Sequence, residues 1–293
     1  MLSDELHFRR AAERLHIAQP PLSQAIQKLE QELGVVLLER TSRSVGLTDA
    51  GRVFATEARK VLADLHHAIA EARRAGGAGS DVRVGFTPYL PIAQLLPFLT
   101  RLSASDPSTR PEVIHLSTVE LIRRLLDGEL EFAVFPRITN SAALEMEALF
   151  PGEPLVAYVA SDHRLASEPF VRPADVENET LLAVPRSENP DLADWMESEL
   201  EEAGYRFGNV VELGGPDLRD RILAAASGVG VALLPASVAA SGEAGLLAVA
   251  RPLDPPLSMP ETVVAWRANV PGHLAPVIDA ARSLARELRV EPV

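Results

Sequence analysis

Phe8-Arg9-Arg10-Ala11-Ala12-Glu13-Arg14-Leu15-His16-Ile17-Ala18-Gln19-Pro20-Pro21-Leu22-Ser23-Gln24-Ala25-Ile26 decides the fold of the first part of the chain. Phe8, Ala11, Ala12 and Leu15 recur at helical spacing. Pro20-Pro21 marks a turn and a fresh helix start, a position where the first N–H groups have no intrahelical partner in any case. Beyond it Leu22, Ile26, Leu29 and Leu33 form one apolar stripe, and Gly34 ends the helix. Ser23, Gln24, Gln27, Lys28 and Gln31 fall elsewhere on its surface. Two short helices across a tight turn, the second bearing short polar side chains, predict a helix-turn-helix that sets its second helix in a DNA major groove.

Working outward, Val35–Leu38 and Val45–Leu47 flank the polar stretch Glu39–Ser44, which predicts strand, turn, strand: a small wing. Thr48 is placed to cap the next helix, with Asp49 at its positive end. That helix is expected to run to about Arg74. Its Phe54, Ala58, Val61, Leu65, Ala68 and Ala72 alternate by four and three, the spacing of a short coiled-coil seam. Gly76-Gly77-Ala78-Gly79-Ser80 reads as a flexible linker.

The rest alternates between strand and helix. Strands are expected at 82–86, 113–116, 132–135, 155–160, 181–184, 210–213, 231–234 and 263–268. Helices are expected at 91–102, 119–127, 192–203, 218–226 and 275–288. Such alternation predicts open, largely parallel sheets. Crossings near 160 and 262 divide them into two hinged lobes.

The formal net charge is −13, but it is unevenly spread. Residues 1–76 hold 11 Lys/Arg against 10 Asp/Glu, so the negative charge belongs to the later part, and a near-neutral head can still face phosphates. The chain has no cysteine, which excludes disulfides and thiolate metal sites. No run of about 18 apolar residues and no signal-peptide pattern is present, so the expected location is cytoplasmic, with no membrane partner. Catalysis finds little support. No histidine pair has metal-helix spacing, no Gly-x-Ser-x-Gly elbow occurs, and the glycine-rich linker lacks a phosphate-loop lysine, so a non-enzyme without cofactor or metal is expected.

With these residues laid out, the chain resembles the LysR-type transcriptional regulators over nearly its whole length. The resemblance is carried by Arg10–Leu15, by Ala18–Ile26, by Leu29–Gly34, by Leu38-Glu39-Arg40-Thr41 and by Leu47-Thr48-Asp49-Ala50-Gly51, with Gly228-Val229-Gly230-Val231-Ala232-Leu233-Leu234-Pro235 as a weaker later match. The wording at Leu15–Pro21 and at Phe135-Pro136-Arg137-Ile138-Thr139 resembles the branch that regulates aromatic-compound catabolism. The family begins with most of an extra helix before Asp4–Phe8, so the first helix is expected to be shortened here.

The resemblance implies a winged helix-turn-helix at 1–48, a dimerising linker helix at 49–76, a flexible linker at 77–81 and a co-inducer domain at 82–293. That domain is implied to be α/β, of two Rossmann-like lobes similar to periplasmic binding proteins. Lobe I is expected at 82–157 and 263–293, and lobe II at 158–262. Homotetramers built as dimers of dimers are implied. So are contacts with promoter DNA, a small organic anion such as an aromatic carboxylate, and RNA polymerase.

Gln19, Pro20, Ser23, Gln24 and Gln27 are the candidates for the base-reading face; glutamine can pair with adenine and serine with several bases. Arg9, Arg10, Arg40 and Arg43 are candidates for phosphate, although each taken singly is equally an ordinary surface charge, and Arg40 is equally a partner for Glu30 or Glu39. For the anion, the turns after strands supply unpaired N–H groups at helix N-termini. Thr87, Ser117 and Thr118 are the expected contacts there, with Arg137 and Arg186 as carboxylate partners. Capping is the plainer role for Ser117 and Thr118. A two-lobed solute-binding or sequestering protein without productive DNA binding is the rival reading.

Overall fold

In the computed structural model, the described residues are 2–40, 45–76, 80–87, 90, 92–105, 109–138, 141–214, 218–240, 248–268 and 274–290. The chain divides into two units, Met1–His66 and His67–Val293.

The first unit opens with α1 (Leu2–Glu5), α2 (Phe8–Arg14) and α3 (Gln19–Leu33). Ala11 and Ala12 are buried, and their small side chains let α2 lie close to Leu22 of α3. Leu2 and Leu38 complete that small core, with Phe8, Ile26, Val45 and Leu47 packed around it. Gly34 ends α3 in the left-handed region (φ 69°), where a Cβ would be strained. β1 (Leu38–Arg40) pairs antiparallel with β2 (Val45–Leu47) to make the wing. The first wing strand is displaced from its expected place: Val35, Val36 and Leu37 stay outside it, Val35 and Val36 exposed, while Glu39 and Arg40, expected in the turn, belong to it. The reason lies in Glu30, whose Oε1 accepts from the backbone N–H groups of Leu37 (2.8 Å) and Leu38 (3.1 Å), so the strand's first donors face α3 rather than β2. Leu33, expected in the buried stripe, is also exposed. α4 (Asp49–Ala75) follows, capped as expected: Gly51 N–H donates to Thr48 Oγ1 (2.9 Å).

The second unit contains two lobes of the same design. The elements are β3 (Ser80–Phe86), α5 (Ile92–Ser105), β4 (Thr109–His115), α6 (Thr118–Leu126), β5 (Phe132–Pro136), β6 (Leu144–Phe150), β7 (Leu155–Val159), a 3-10 turn (Arg164–Ser167), α7 (Pro173–Val176), β8 (Thr180–Ala183), α8 (Pro190–Glu202), β9 (Asn209–Glu212), α9 (Leu218–Ala226), β10 (Ala232–Pro235), α10 (Ala236–Ala240), β11 (Val249–Pro252), β12 (Thr262–Arg267) and α11 (Ala275–Val290). β3 begins at Ser80, so the expected linker is shorter than 77–81, and its residues 77–79 lie outside the described set.

The lobe I sheet has the order β4-β3-β5-β12-β6. β3 is parallel to β4 and β5, while β12 runs antiparallel to both β5 and β6. In lobe II, β8 is parallel to β9, a parallel Leu181–Val231 bridge joins β8 to the start of β10, and β7 lies antiparallel between β10 and β11. The largely parallel reading is therefore corrected by one reversed strand in each lobe. That strand is in each case the one arriving from the other lobe. Leu155 of β7 sits opposite Pro235, the last residue of β10, and Thr262 of β12 opposite Pro136, the last residue of β5. A chain that enters at the carboxyl end of its neighbours has to run against them. The expected boundary at 157/158 also moves, because Leu155–Ala157 already belong to the lobe II sheet. The resulting sheets carry apolar clusters on both faces, as buried α/β sheets require.

The Gly228–Pro235 motif now has a physical reading. Gly228 takes φ 77° just after α9, and a Cβ on Gly230 would lie 2.4 Å from the Thr180 carbonyl oxygen. The chain passes that close because Val231 N–H donates to the same carbonyl (2.8 Å).

Candidate nucleic-acid interface and ligand cleft

α3 presents the polar face expected of a groove-reading helix. Leu22 turns into the core, whereas Gln19, Pro20, Gln24, Gln27 and Lys28 are exposed and Ser23 is half-buried. The turn before it is held by backbone bonds from Leu15 N–H to Ala11 O (3.1 Å) and from Ile17 N–H to Ala12 O (3.0 Å). Arg10 Nη2 donates to the Glu5 carbonyl (3.1 Å), which ties that side chain to α1. Arg9 lies 3.6 Å from Glu13 with both side chains largely in solvent, an arrangement that leaves it available to a phosphate. Arg40 lies in β1 opposite Val45, and Arg43 lies outside the described residues. Arg52, absent from the sequence candidates, stands in the first turn of α4 and donates to Leu47 O (2.7 Å), linking that helix to the wing.

In the second unit the carboxyl ends of the strands meet, which is where open α/β sheets bind ligands. Thr87 follows β3 and is fully buried; its Oγ1 finds no hydrogen-bond partner among the described residues. Ser117 caps α6, its hydroxyl accepting from Glu120 N–H at 3.3 Å. Thr118, the first residue of α6, accepts a 3.2 Å bond from Asn189 Nδ2. Asn189 caps α8 through Leu192 N–H (3.3 Å), so one buried amide joins the N-terminal ends of a lobe I helix and a lobe II helix. The sequence reading missed Asn189, although an Asn-Pro pair before an apolar-periodic run is a helix-start signal.

The two arginines are committed elsewhere. Arg137 Nε lies 2.8 Å from Glu261 Oε1 without the alignment of a hydrogen bond, and its backbone N–H donates to Glu261 O (2.8 Å). Arg186 is held by two carboxylates of α8: it pairs with Asp194 and donates to Glu197 (2.6 Å). Each of the two expected carboxylate partners therefore already faces a carboxylate of this chain.

Behind the cleft, α6 carries a compact charge cluster. Arg123 Nη2 donates to Glu120 Oε1 (2.7 Å), and Arg124 Nε donates to the same oxygen (2.9 Å). Burial opposes the Glu120 charge, but these bonds and the two positive charges outweigh it and bring the carboxyl from its ordinary 4.5 down to about 2. The folded pKa is the lower one, so this group's stabilisation is complete above about pH 4.5 and is lost as pH falls towards 2. Glu120→Gln should therefore reduce the acid sensitivity of unfolding. The stability difference between pH 6 and pH 3, from urea titrations, is expected to shrink by ~2 kcal/mol in the variant.

A winged helix-turn-helix unit together with a two-lobed α/β unit, cleft at its strand ends, defines a ligand-responsive DNA-binding regulator. The chain belongs to the LysR family of transcriptional regulators. Residues 1–52 match the family model described as a bacterial regulatory helix-turn-helix protein, lysR family, and residues 75–289 match the LysR substrate binding domain. It is 34% identical over 238 residues to the HTH-type transcriptional regulator YnfL of Escherichia coli K12, covering 80% of this chain and 79% of that one. It is 35% identical over 240 residues to the HTH-type transcriptional regulator CatR of Pseudomonas putida, covering 81% and 80%. The solved structure of CbnR, a LysR family transcriptional regulator, superposes with a TM-score of 0.60 at 26% identity over 97% of this chain and 96% of that one. Full-length CbnR complexed with its target DNA gives 0.54 at 26% identity, again over 97% and 96%. These relatives are regulators, not enzymes. Among the described residues no helix is long and apolar enough to cross a membrane.

Proposed function

We propose that this regulator reads promoter DNA with α3 and is switched by a small organic anion, aromatic carboxylates among them, bound between its lobes. The observation that carries the ligand half is the buried, unpartnered Thr87 hydroxyl beside the capped N-terminus of α6. An anion there accepts from backbone N–H groups and from the hydroxyls of Thr87, Ser117 and Thr118, and the α6 dipole favours it. Asn189 completes the wall from lobe II, so the occupant bears on how the lobes close. The ligand switches the protein only to the extent that it favours one lobe arrangement over the other. On the DNA side, Gln19, Ser23, Gln24 and Gln27 contact base edges while Pro20 sets the helix start, and Arg9, Arg10, Arg40 and Arg43 contact phosphates. The domain division follows: head 1–48, dimerising α4, and a two-lobed co-inducer domain from 80 onward, assembled as a dimer of dimers in the cytoplasm and working with RNA polymerase. CatR and the DNA-bound CbnR structure support the DNA reading by similarity.

The test is fluorescence anisotropy of the full chain on DNA upstream of its own gene, across a salt series, with and without benzoate or succinate. Salt-dependent binding that survives excess nonspecific DNA is expected. Gln24→Ala should weaken it roughly 5- to 100-fold while leaving nonspecific binding unchanged. Equal affinity for operator and random DNA would overturn the reading. For the cleft, Thr118→Val should remove the response to whichever carboxylate shifts the wild-type footprint.

A further inference from the structure

We propose that lobe II carries a second ligand site, for a neutral and largely apolar small molecule, in the cavity beneath α8. The cavity measures about 540 Å³, within the roughly 300–1,000 Å³ of small-molecule sites. Its roof is the stripe Leu192, Ala193, Met196 and Leu200 of α8, and its floor includes Ala183 of β8 and Leu233 of β10. All its lining residues belong to lobe II; Thr87, Ser117 and Thr118 are not among them, whereas Arg186, expected as a carboxylate partner in the cleft, is.

Comparison of the two lobes shows that this space is not a requirement of the topology. In lobe I the corresponding helix, α5, is packed down on its sheet. Leu95, Phe98 and Leu102 are buried, and Phe98 meets Phe132 edge-to-face at 5.9 Å, with Trp266 beyond it at 6.3 Å. In lobe II, Leu192 and Leu200 of α8 are buried as well, but the small side chains of Ala183 and Ala193 and the half-buried Met196 line open space beneath the helix. The edge strand β9 stays open beside it, with Val210 55% exposed at the cavity wall.

The polar lining fixes the class of occupant. Charges are balanced, with Arg186, Arg206 and Arg221 against Glu197, Glu201 and Glu212. Arg186 is already bound to Asp194 and Glu197, and the Tyr205 hydroxyl is committed to the carbonyls of Val171 (3.0 Å) and Pro255 (2.9 Å). Arg206 is exposed, and the interior surface that remains is aliphatic and thioether, which adapts to the shape of a neutral molecule and penalises an ion that has to leave water to reach it.

The methionines make the site observable. Of the four in the chain, Met196 and Met259 line the cavity, whereas Met146 lies on β6 of lobe I. Full-length protein labelled with ¹³C at the methionine methyls is titrated with the neutral probe N-phenyl-1-naphthylamine and, separately, with 1-naphthoate. Saturable binding of the neutral probe is expected, with shifts at Met196 and Met259 and none at Met146, and with at least tenfold weaker binding of naphthoate at the same methyls. Ala193→Phe, which fills the cavity, should weaken the probe tenfold or more. No saturable binding, or shifts confined to Met146, would overturn the site. Equal binding of naphthoate at Met196 and Met259 would overturn the neutral class of ligand. If Ala193→Phe fails to fold, the wild-type methyl shifts decide alone.

Discussion

Val61→Asp combined with Leu65→Asp is expected to turn the protein into a monomer in solution and to weaken promoter binding by about 100-fold or more. The two side chains are 66% and 53% exposed on α4, and Leu62 and Ile69 are exposed beside them. Four large aliphatic residues within nine positions of one helix offer the seam that a second helix would cover in the proposed dimer, at coiled-coil spacing. Aspartate at two of them places charge in that contact with no partner for it. The consequence for DNA follows from linkage. In the proposed dimer two heads would engage two half-sites, the second at high effective concentration, and a monomer would lose that gain without losing any base contact. Light scattering reads the mass and anisotropy the affinity. A variant that keeps the wild-type mass would remove α4 as the seam. A monomer that binds as tightly as wild type would remove the two-headed mode.

Gly152→Ala is the second large effect. The two crossings between lobes run side by side: Met259 N–H donates to Glu153 O (2.8 Å), Leu155 N–H donates to Leu257 O (2.8 Å), and Pro154 and Ser258 form an antiparallel bridge between them. A Cβ on Gly152 would stand 2.0 Å from the Met259 carbonyl oxygen. That oxygen is backbone in a hydrogen-bonded ribbon and cannot rotate away, so the strands of the hinge have to separate. Overpacking of this kind costs about 1–3 kcal/mol, which corresponds to a fall in Tm of roughly 3–10 °C. Gly214→Ala is the control, since among the described residues its Cβ would meet only Glu188 Oε1, at 3.6 Å. Equal melting of the two variants would show that the crossings are not pressed together. Any ligand response should also weaken in Gly152→Ala, because the same ribbon sets the angle between the lobes.

What could be read from the sequence is what depends on neighbours along the chain. The helix-turn-helix was legible because Pro20-Pro21, the 22/26/29 stripe and Gly34 are local signals, and α9 (Leu218–Ala226) falls where its periodicity put it. β6 escaped notice because Glu145 and Glu147 interrupt its apolar character, and β11 because it is four residues long and ends in Pro252. The reversed direction of β7 and β12 depends on where the hinge enters each sheet, which no local pattern encodes. Thr87, Ser117 and Thr118 were found as turn residues after strands, but the Thr118–Asn189 bond joins positions 71 apart and required coordinates. The pairing of Arg186 with Asp194 and Glu197 is different: i+8 and i+11 spacing into a helix that starts at Pro190 could have been weighed in advance.

The exchange of strands between lobes also sets the order in which the lobes are completed during synthesis. Lobe II draws its whole sheet from one continuous stretch, β7 through β11, whereas β12 has to enter between β5 and β6, and α11 has to pack against α5, before lobe I is complete. On the ribosome, the lobe whose first strand emerges earlier is therefore finished later. Until residue 262 has left the exit tunnel, β5 and β6 present unpaired edges to the cell, and a chain stalled short of that point carries a finished lobe II on an unfinished lobe I.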